Sequence, residues 1–271
     1  MKTGKDRRYQ IRAVIFDIQE ECVDLKKALS DAGIYVIVPF FGLQVEATLL
    51  EAMQSLSLSA KDCLMLTNQE AHRKAAESMG MAVVGCVEGY FEIPKTAVLL
   101  ESAKEVPMSY LDRIYCHEQG LPATIAETKR CFIRELTTED SETLYEILSE
   151  EETSCYLPIM EGSREEELDK LRSYVSCVYP FFEYGYWGIF CKESGELLGR
   201  AGFREGSYPL EIGYVIKRSF RGRGVATEVV EALLKYAAEE LDITDVFAKI
   251  DRRNKASLRV AEKCGIRVEF M

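Results

Sequence analysis

Apolar and polar positions follow two regimes along the chain. In the first hundred residues, short apolar runs are separated by stretches whose apolar residues recur three and four apart. AVIFDI (13–18) reads as a buried strand, and Cys22, Leu25, Leu29 and Ala32 then follow at helical spacing, with Gly33 placed to end that helix. IYVIV (34–38) is a second strand, Leu49, Leu50, Met53 and Leu56 mark a helix, and CLML (63–66) is a third strand. Ala71, Ala75, Ala76 and Met79 form a helical stripe closed by Gly80, ahead of AVVGCV (82–87) and TAVLL (96–100). Such alternation predicts a parallel sheet with helices on its faces.

Pro107 and Pro122 act as breakers, and residues 106–130 read as a connector with one short helix near Tyr110–Tyr115. From Cys131 the pattern changes. CFIREL (131–136) is a strand, and Thr137-x-x-Asp140 starts a helix carrying Leu144, Ile147 and Leu148. EGSREEELDKL (161–171) reads as a solvated helix face, and YGYWGIFCK (184–192) with ELLGRAGFR (196–204) as an antiparallel hairpin turning at Glu193-Ser194-Gly195. LEIGYVI (210–216) and DVFAKI (245–250) are strands, and NKASLRVAEKCG (254–265) is the last helix. The fold class is α/β in two domains: 1–105 with a parallel, Rossmann-like sheet, and 131–271 as an α+β domain with a mostly antiparallel sheet.

The 271 residues are enough for two cores. A net charge of −11 argues against general nucleic-acid binding, so any anion site must be local. No apolar segment is long enough for a membrane span. The amino terminus, MKTGKDRRYQIRAVIFDIQE, lacks both the uncharged apolar stretch and the cleavage site of a signal peptide, and the expected location is cytoplasmic. Nine cysteines stand singly without a C-x-x-C, as reduced thiols do. With only His72 and His117 as imidazoles no metal is expected, and both are read as ordinary surface or helix residues.

The chemistry gathers at RSFRGRGVATEVVEALLKY (218–236). Ala226, Val229, Val230, Leu233, Leu234, Ala237, Ala238 and Leu241 form one apolar helix face. The start of that helix has N–H groups without intrahelical partners, at the positive end of its dipole. Gly222 and Gly224 let the backbone before it bend into a concavity, and Arg218, Arg221 and Arg223 add mobile charge, which together suit a diphosphate. The alternative is a glycine-rich turn with surface arginines and no ligand. The spacing is neither a P-loop nor a dinucleotide fingerprint.

Arg221, Gly224 and Ala226 match R-x-x-G-x-A. Here residues 131–271 resemble the GCN5-related N-acetyltransferases, in particular their ribosomal-protein-acetylating-like branch. NKASLRVAEKCGI is similar to that branch's N-x-x-S-x-x-x-x-E-K-x-G-F segment, with Ile266 in place of Phe. The resemblance implies acetyl-CoA as acetyl donor, its pyrophosphate on Arg221, Gly222, Arg223, Gly224, Val225, Ala226 and Thr227. It implies that the pantetheine arm meets Val215 and Ile216 where their strand splays from 245–250, with Asn254 and Ser257 opposite. Helix capping is the alternative role for that pair. The reaction would acetylate a primary amine of a small molecule or a basic protein or peptide. Glu211, on the strand face opposite Leu210, Ile212, Tyr214 and Ile216, is the candidate base or amine-positioning group, or else a solvent-facing or Arg-paired carboxylate. The sequence ends at Met271 within the strand after the last helix, where family members continue, so a more open acceptor side, or one covered by another chain or segment, is expected. A non-catalytic CoA sensor is the alternative.

VIFD (14–17) and CLMLTNQEAHRKAAESMGM (63–81) resemble the haloacid-dehalogenase-like hydrolases. Asp17 stands at the nucleophile position, but Gln19 replaces the acid–base Asp, Glu20 and Glu21 replace Gly-Thr, Asn68 replaces the metal Asp, and 34–60 holds no lysine. The implied domain is degenerate, a scaffold, small-ligand regulator or homo-oligomer surface rather than a phosphatase.

Overall fold

The structure is a computed structural model that describes residues 9–42, 44–87, 98–156, 163–179, 184–204, 206 and 209–271. The amino-terminal residues 1–8 and positions 96–97 of the TAVLL run lie outside these. The chain divides into two compact units, Met1–Ala123 and Thr124–Met271.

The first unit's strands are β1 (Ala13–Asp17), β2 (Tyr35–Ile37), β3 (Cys63–Thr67), β4 (Ala82–Cys86) and β5 (Leu99–Leu100), with helices α1 (Val23–Asp31), α2 (Val45–Gln54), α3 (Glu70–Ser78) and α4 (Met108–Glu118). All described pairings are parallel, in the order β2-β1-β3-β4-β5. The strands read as continuous apolar runs because both faces are covered. Val14, Phe16, Leu64 and Leu66 enter one core with Leu25, Leu29 and Leu111, while Ala13, Ile15, Cys63 and Met65 enter the other with Leu49 and Met53. Side chains alternating across the sheet thus divide one sequence run between two cores.

The stretch 106–130 is not a free connector. Pro107 is the N-cap of α4, whose Leu111, Ile114, Tyr115 and Cys116 are buried in the first unit, and residues 124–127 form a strand of the second. Both prolines flank elements instead of interrupting them. Within α4, Asp112 is 2% exposed and accepts the N–H groups of Gln10 and Ile11 at 2.8 Å each.

The second unit holds β6 (Thr124–Glu127), β7 (Cys131–Arg134), α5 (Ser141–Leu148), α6 (Glu151–Ser154), α7 (Arg164–Cys177), β8 (Tyr186–Cys191), β9 (Leu197–Phe203), β10 (Leu210–Ile216), α8 (Val225–Glu240), β11 (Val246–Ile250), α9 (Lys255–Cys264) and β12 (Arg267–Phe270). The sheet order is β12-β11-β10-β9-β8-β7-β6, antiparallel from β6 to β10 and parallel from β10 to β12. The helix at 161–171 begins at Ser163, which forms a reciprocal capping box with Glu166; positions 161–162 lie outside the described residues. On α8 the buried stripe is Val225, Val229, Val230, Leu233, Tyr236 and Ala237, and Ala238 is exposed. Tyr236, outside the expected stripe, is also buried and stacks edge-on against Trp187, 5.5 Å between ring centroids. No helix among the described residues is long and apolar enough to cross a membrane.

Burial pushes the Asp112 carboxyl up to about 6, against the lowering effect of hydrogen bonds from Ile11, Gln10 and Cys116. Its folded form therefore holds a proton more tightly than its unfolded form, whose ordinary value is 3.8. Stability from this group is lost as pH rises across that interval, on the order of 3 kcal/mol. Asp112→Asn should flatten this loss, so its denaturant midpoint should gain on wild type between pH 4 and pH 6.5. Parallel curves for the two proteins would contradict the assignment.

Candidate anion and acyl-donor site

The turn between β10 and α8 takes its shape from two glycines. Gly222 and Gly224 have φ of 71° and 78°, the left-handed region that residues with a Cβ enter at a cost. Gly224 is the N-cap of α8, with no side-chain cap among the described residues, and the helix's own bonding begins with the Glu228 N–H on the Gly224 carbonyl. The N–H groups of Val225, Ala226 and Thr227 therefore precede the intrahelical ladder. A Cβ added at Gly222 would meet nothing within 4 Å, and one at Gly224 only Nη2 of Arg130 at 3.6 Å. The turn is open and sited at the positive end of a helix whose first N–H groups precede the intrahelical ladder. Helix starts of this kind are the general form of an anion site.

The three arginines do not share one role. Nε of Arg221 donates to the Ile216 carbonyl at 2.7 Å, and its guanidinium pairs with Glu150 at 2.9 Å and Glu152 at 3.2 Å and bonds Thr153. The backbone N–H of Arg218 donates to Glu150 at 3.0 Å, and its guanidinium pairs with Glu152 at 3.2 Å. The expectation of mobile charge thus fails for these two: acidic residues around α6 hold them, and Arg221 acts as a brace. Arg223 is exposed, stands 5.4 Å from the Phe220 ring centroid and makes no ion pair among the described residues.

A fourth arginine does what local sequence did not indicate. Arg130, in the β6–β7 hairpin, donates from Nη1 to the Arg223 carbonyl at 2.7 Å, and from its backbone N–H and Nε to Glu228 at 2.8 and 2.7 Å. Burial pushes the Glu228 carboxyl up, but hydrogen bonds from Thr128 and Arg130 and the charge of Arg130 outweigh it and hold the group below its usual range. This clamp fixes the outer wall of the turn. Arg130 lies 93 positions from Arg223 and 98 from Glu228, beyond the reach of any helical or strand period.

Beside the turn the sheet opens. β10 pairs with β11 only at Leu210–Val246 and Glu211–Phe247, yet stays on β9 through Ile216. Backbone parity decides which groups face the opening. Leu210 donates toward β11, to the Asp245 carbonyl, whereas the Glu211 carbonyl and the Lys217 N–H bond to β9 and its flanks. Even-numbered residues thus turn their backbone groups toward the opening and odd-numbered ones toward β9. The Val215 carbonyl accordingly lies 1.9 Å from where a Cβ on Gly199 would be. Tyr214 and Ile216 face the gap, and Arg221 occupies the Ile216 carbonyl.

Opposite, Asn254 caps α9 by accepting the Ser257 N–H at 3.0 Å, and the Ser257 carbonyl accepts Tyr214 Oη at 3.2 Å. Capping is therefore met in full, while Asn254 Nδ2 and Ser257 Oγ have no hydrogen bond among the described residues. Burial raises the Tyr214 phenol. Glu211 lies 3.4 Å from Arg204 and 3.2 Å from Lys249 with its side chain 15% exposed. On its strand face, Gly213 leaves room for Tyr186, whose Oη lies 2.7 Å from where a Cβ would stand.

In the first unit, Asp17 at the end of β1 accepts Thr67 Oγ1 at 2.5 Å and meets His72 Nδ1 at 2.7 Å, and the His72 ring lies 4.4 Å from that of Phe41. His72 is, as expected, a helix residue, in α3, and its ring is held by a carboxylate. Among the described residues no group of three or more metal-ligating side chains is positioned to hold an ion.

The sequence profile described as the acetyltransferase (GNAT) domain matches residues 130–267, just over half the chain. The uncharacterized N-acetyltransferase YoaA of Bacillus subtilis (strain 168) is 27% identical over 148 residues, 54% of this chain and 84% of the relative. The uncharacterized N-acetyltransferase YnaD of the same organism is 28% identical over 149 residues, 52% and 82% of the two chains. Among solved structures, an acetyltransferase (GNAT family) from Bacillus anthracis has 27% identity and a TM-score of 0.45, covering 52% of this chain and 82% of its own.

The clamp makes a pH-dependent prediction. Because the Glu228 carboxyl is depressed, its contribution is present above the ordinary value of 4.5 and is lost as pH falls through the folded value. Glu228→Gln should cost about 1 kcal/mol at pH 7, read from Trp187, the single tryptophan. The difference from wild type should shrink progressively as pH falls below 4.5; a difference that stays constant there would assign the loss to packing.

Proposed function

This chain belongs to the acetyltransferase (GNAT) domain family, and on that premise we propose how its residues carry out transfer from acetyl-CoA to a primary amine. The observation that carries the reading is the conjunction of an open turn at a helix start with a sheet gap directly beside it. The N–H groups from Gly222 to Thr227 would hold the pyrophosphate, with Arg223 as the mobile cation at the rim. Arg221 and Arg130 shape the turn without needing to touch the ligand. Tyr214 and Ile216 would offer backbone groups to the pantetheine arm, and Val215 its side chain. Asn254 Nδ2 and Ser257 Oγ would meet the arm from α9. Bound there, the donor supplies an activated acetyl thioester.

The acceptor must approach as a neutral amine, and a carboxylate near the gap can orient it or take its proton, directly or through water. Glu211 is our assignment for that role. Its pairing with Arg204 and Lys249 fixes where the carboxylate points, which suits orienting an amine. The acceptor is a small-molecule amine or a protein or peptide amine. For the first unit we infer a haloacid-dehalogenase-like scaffold without its hydrolase chemistry. The Asp17 oxygen shared by Thr67 and His72 is already committed to two partners, which ill suits a nucleophile.

Titrating acetyl-CoA calorimetrically into the full chain tests the donor site. Wild type should bind; Arg223→Glu should weaken binding tenfold or more at low salt, with the gap narrowing as salt screens it. Gly224→Val should bind worse still, through a β-branched residue forced to positive φ rather than through a steric plug. Equal affinities in all three proteins would move the site elsewhere. Once an acceptor amine is in hand, Glu211→Gln should lower kcat at least tenfold with acetyl-CoA affinity unchanged. An unchanged kcat would remove Glu211 from the chemistry.

A further inference from the structure

Cys131, at the start of β7, and Cys191, at the end of β8, are direct cross-strand partners. Their backbone bonds identify the kind of pair. The Cys131 N–H donates to Thr128 Oγ1 at 2.8 Å and its carbonyl accepts the Thr128 N–H at 2.8 Å. The Cys191 N–H donates to the Glu196 carbonyl at 2.9 Å and its carbonyl accepts the Gly195 N–H at 2.8 Å. All four groups turn away from the β7–β8 seam, whereas the next pair outward bonds across it, Lys192 N–H to the Arg130 carbonyl at 2.9 Å. Cys131 and Cys191 therefore form a non-hydrogen-bonded antiparallel pair. Such pairs have Cα atoms about 4.5 Å apart and side chains on one face. A disulfide accepts Cα separations of roughly 4.4–6.8 Å, so the bond requires no change of register.

The two thiols also differ in a useful way. Cys191 is half-buried, and hydrogen bonds from the Ser194 side chain and backbone favour its thiolate and lower the thiol's pKa. Cys131 is 1% exposed, and burial together with the Glu228 charge raises it. Of the two, Cys191 is the more exposed and the readier to ionise, so an oxidant reacts there first, with a resolving thiol directly across the seam.

We propose that Cys131 and Cys191 are a redox modification site, closed to a disulfide by a hydroperoxide. The Cys191 thiolate attacks one peroxide oxygen, the O–O bond breaks, and sulfenic acid and hydroxide form. The Cys131 sulfur then displaces hydroxide from that sulfenic acid. Two thiols and one hydrogen peroxide become one disulfide and two waters. The bond tethers the strand end from which the adjacent Arg130 reaches the Arg223 carbonyl and Glu228, yet its formation does not depend on the acetyl-CoA reading.

The full-length protein would be treated with hydrogen peroxide, unfolded in iodoacetamide without reductant, digested and mapped by mass spectrometry. The expected product is one peptide pair joining Cys131 to Cys191, absent after dithiothreitol and absent from Cys191→Ser. Ser194→Ala, in an exposed turn, should form the link several-fold more slowly because the thiolate loses its donor. Alkylation of both Cys131 and Cys191, with oxidation confined to the exposed Cys155 and Cys177, would overturn the proposal. So would linkage of Cys191 to any other cysteine, and a wild-type rate in Ser194→Ala would overturn the assignment of Cys191 as the attacked thiol.

Discussion

Everything at the candidate site depends on one backbone constraint: β10 keeps its partner on one side and loses it on the other. Through Ile216 it stays in register with β9, which gives the strand a rigid seat, while its ladder with β11 stops at Glu211. From that point β10 has no ladder partner on that side among the described residues, and of the backbone groups turned that way the Ile216 carbonyl is taken by Arg221. Buried backbone groups are costly when unsatisfied, and the gap is therefore a place where a ligand's amides are welcome. The turn that follows extends the same logic, since among the described residues α8 begins without a side-chain cap, after two glycines at positive φ, and its first N–H groups precede the intrahelical ladder.

Charge around this backbone frame serves to hold shape more than to attract. Four carboxylate–arginine contacts, made by Glu150 and Glu152 with Arg218 and Arg221, lock the near side of the turn, and Glu228 with Arg130 locks the far side. In a chain of net charge −11, Arg223 is an exposed cation at the turn with no ion pair among the described residues. Exposed ion pairs contribute little stability individually. Their value here is geometric, because several of them converge on backbone carbonyls and N–H groups of the turn itself.

Much of this was legible in the sequence. The glycine positions, the amphipathic helix behind them and the strand ahead of them follow from spacing alone, and the R-x-x-G-x-A match points to the family to which the chain belongs. The dual core of the first unit is also visible in its continuous apolar strands. Long-range electrostatics were not legible: nothing local to Arg221 announces Glu150, 71 positions away, and nothing local to Arg223 announces Arg130. Nor does spacing reveal that Asp17 and His72, 55 positions apart, meet at the carboxyl ends of β1 and β3. Which residues of β10 turn their backbone groups toward β11 was not legible either, because it depends on which neighbour bonds to Glu211 and Lys217, a fact of pairing and not of pattern.

Amide chemical shifts of the isotopically labelled protein, followed as acetyl-CoA is added, test the central claim most directly. The account predicts large shifts at Tyr214, Ile216, Gly222, Gly224, Val225 and Ala226, and a small one at Val215, whose backbone bonds to β9. Saturable shifts that spare the turn, or that follow Val215 rather than its neighbours, would contradict it.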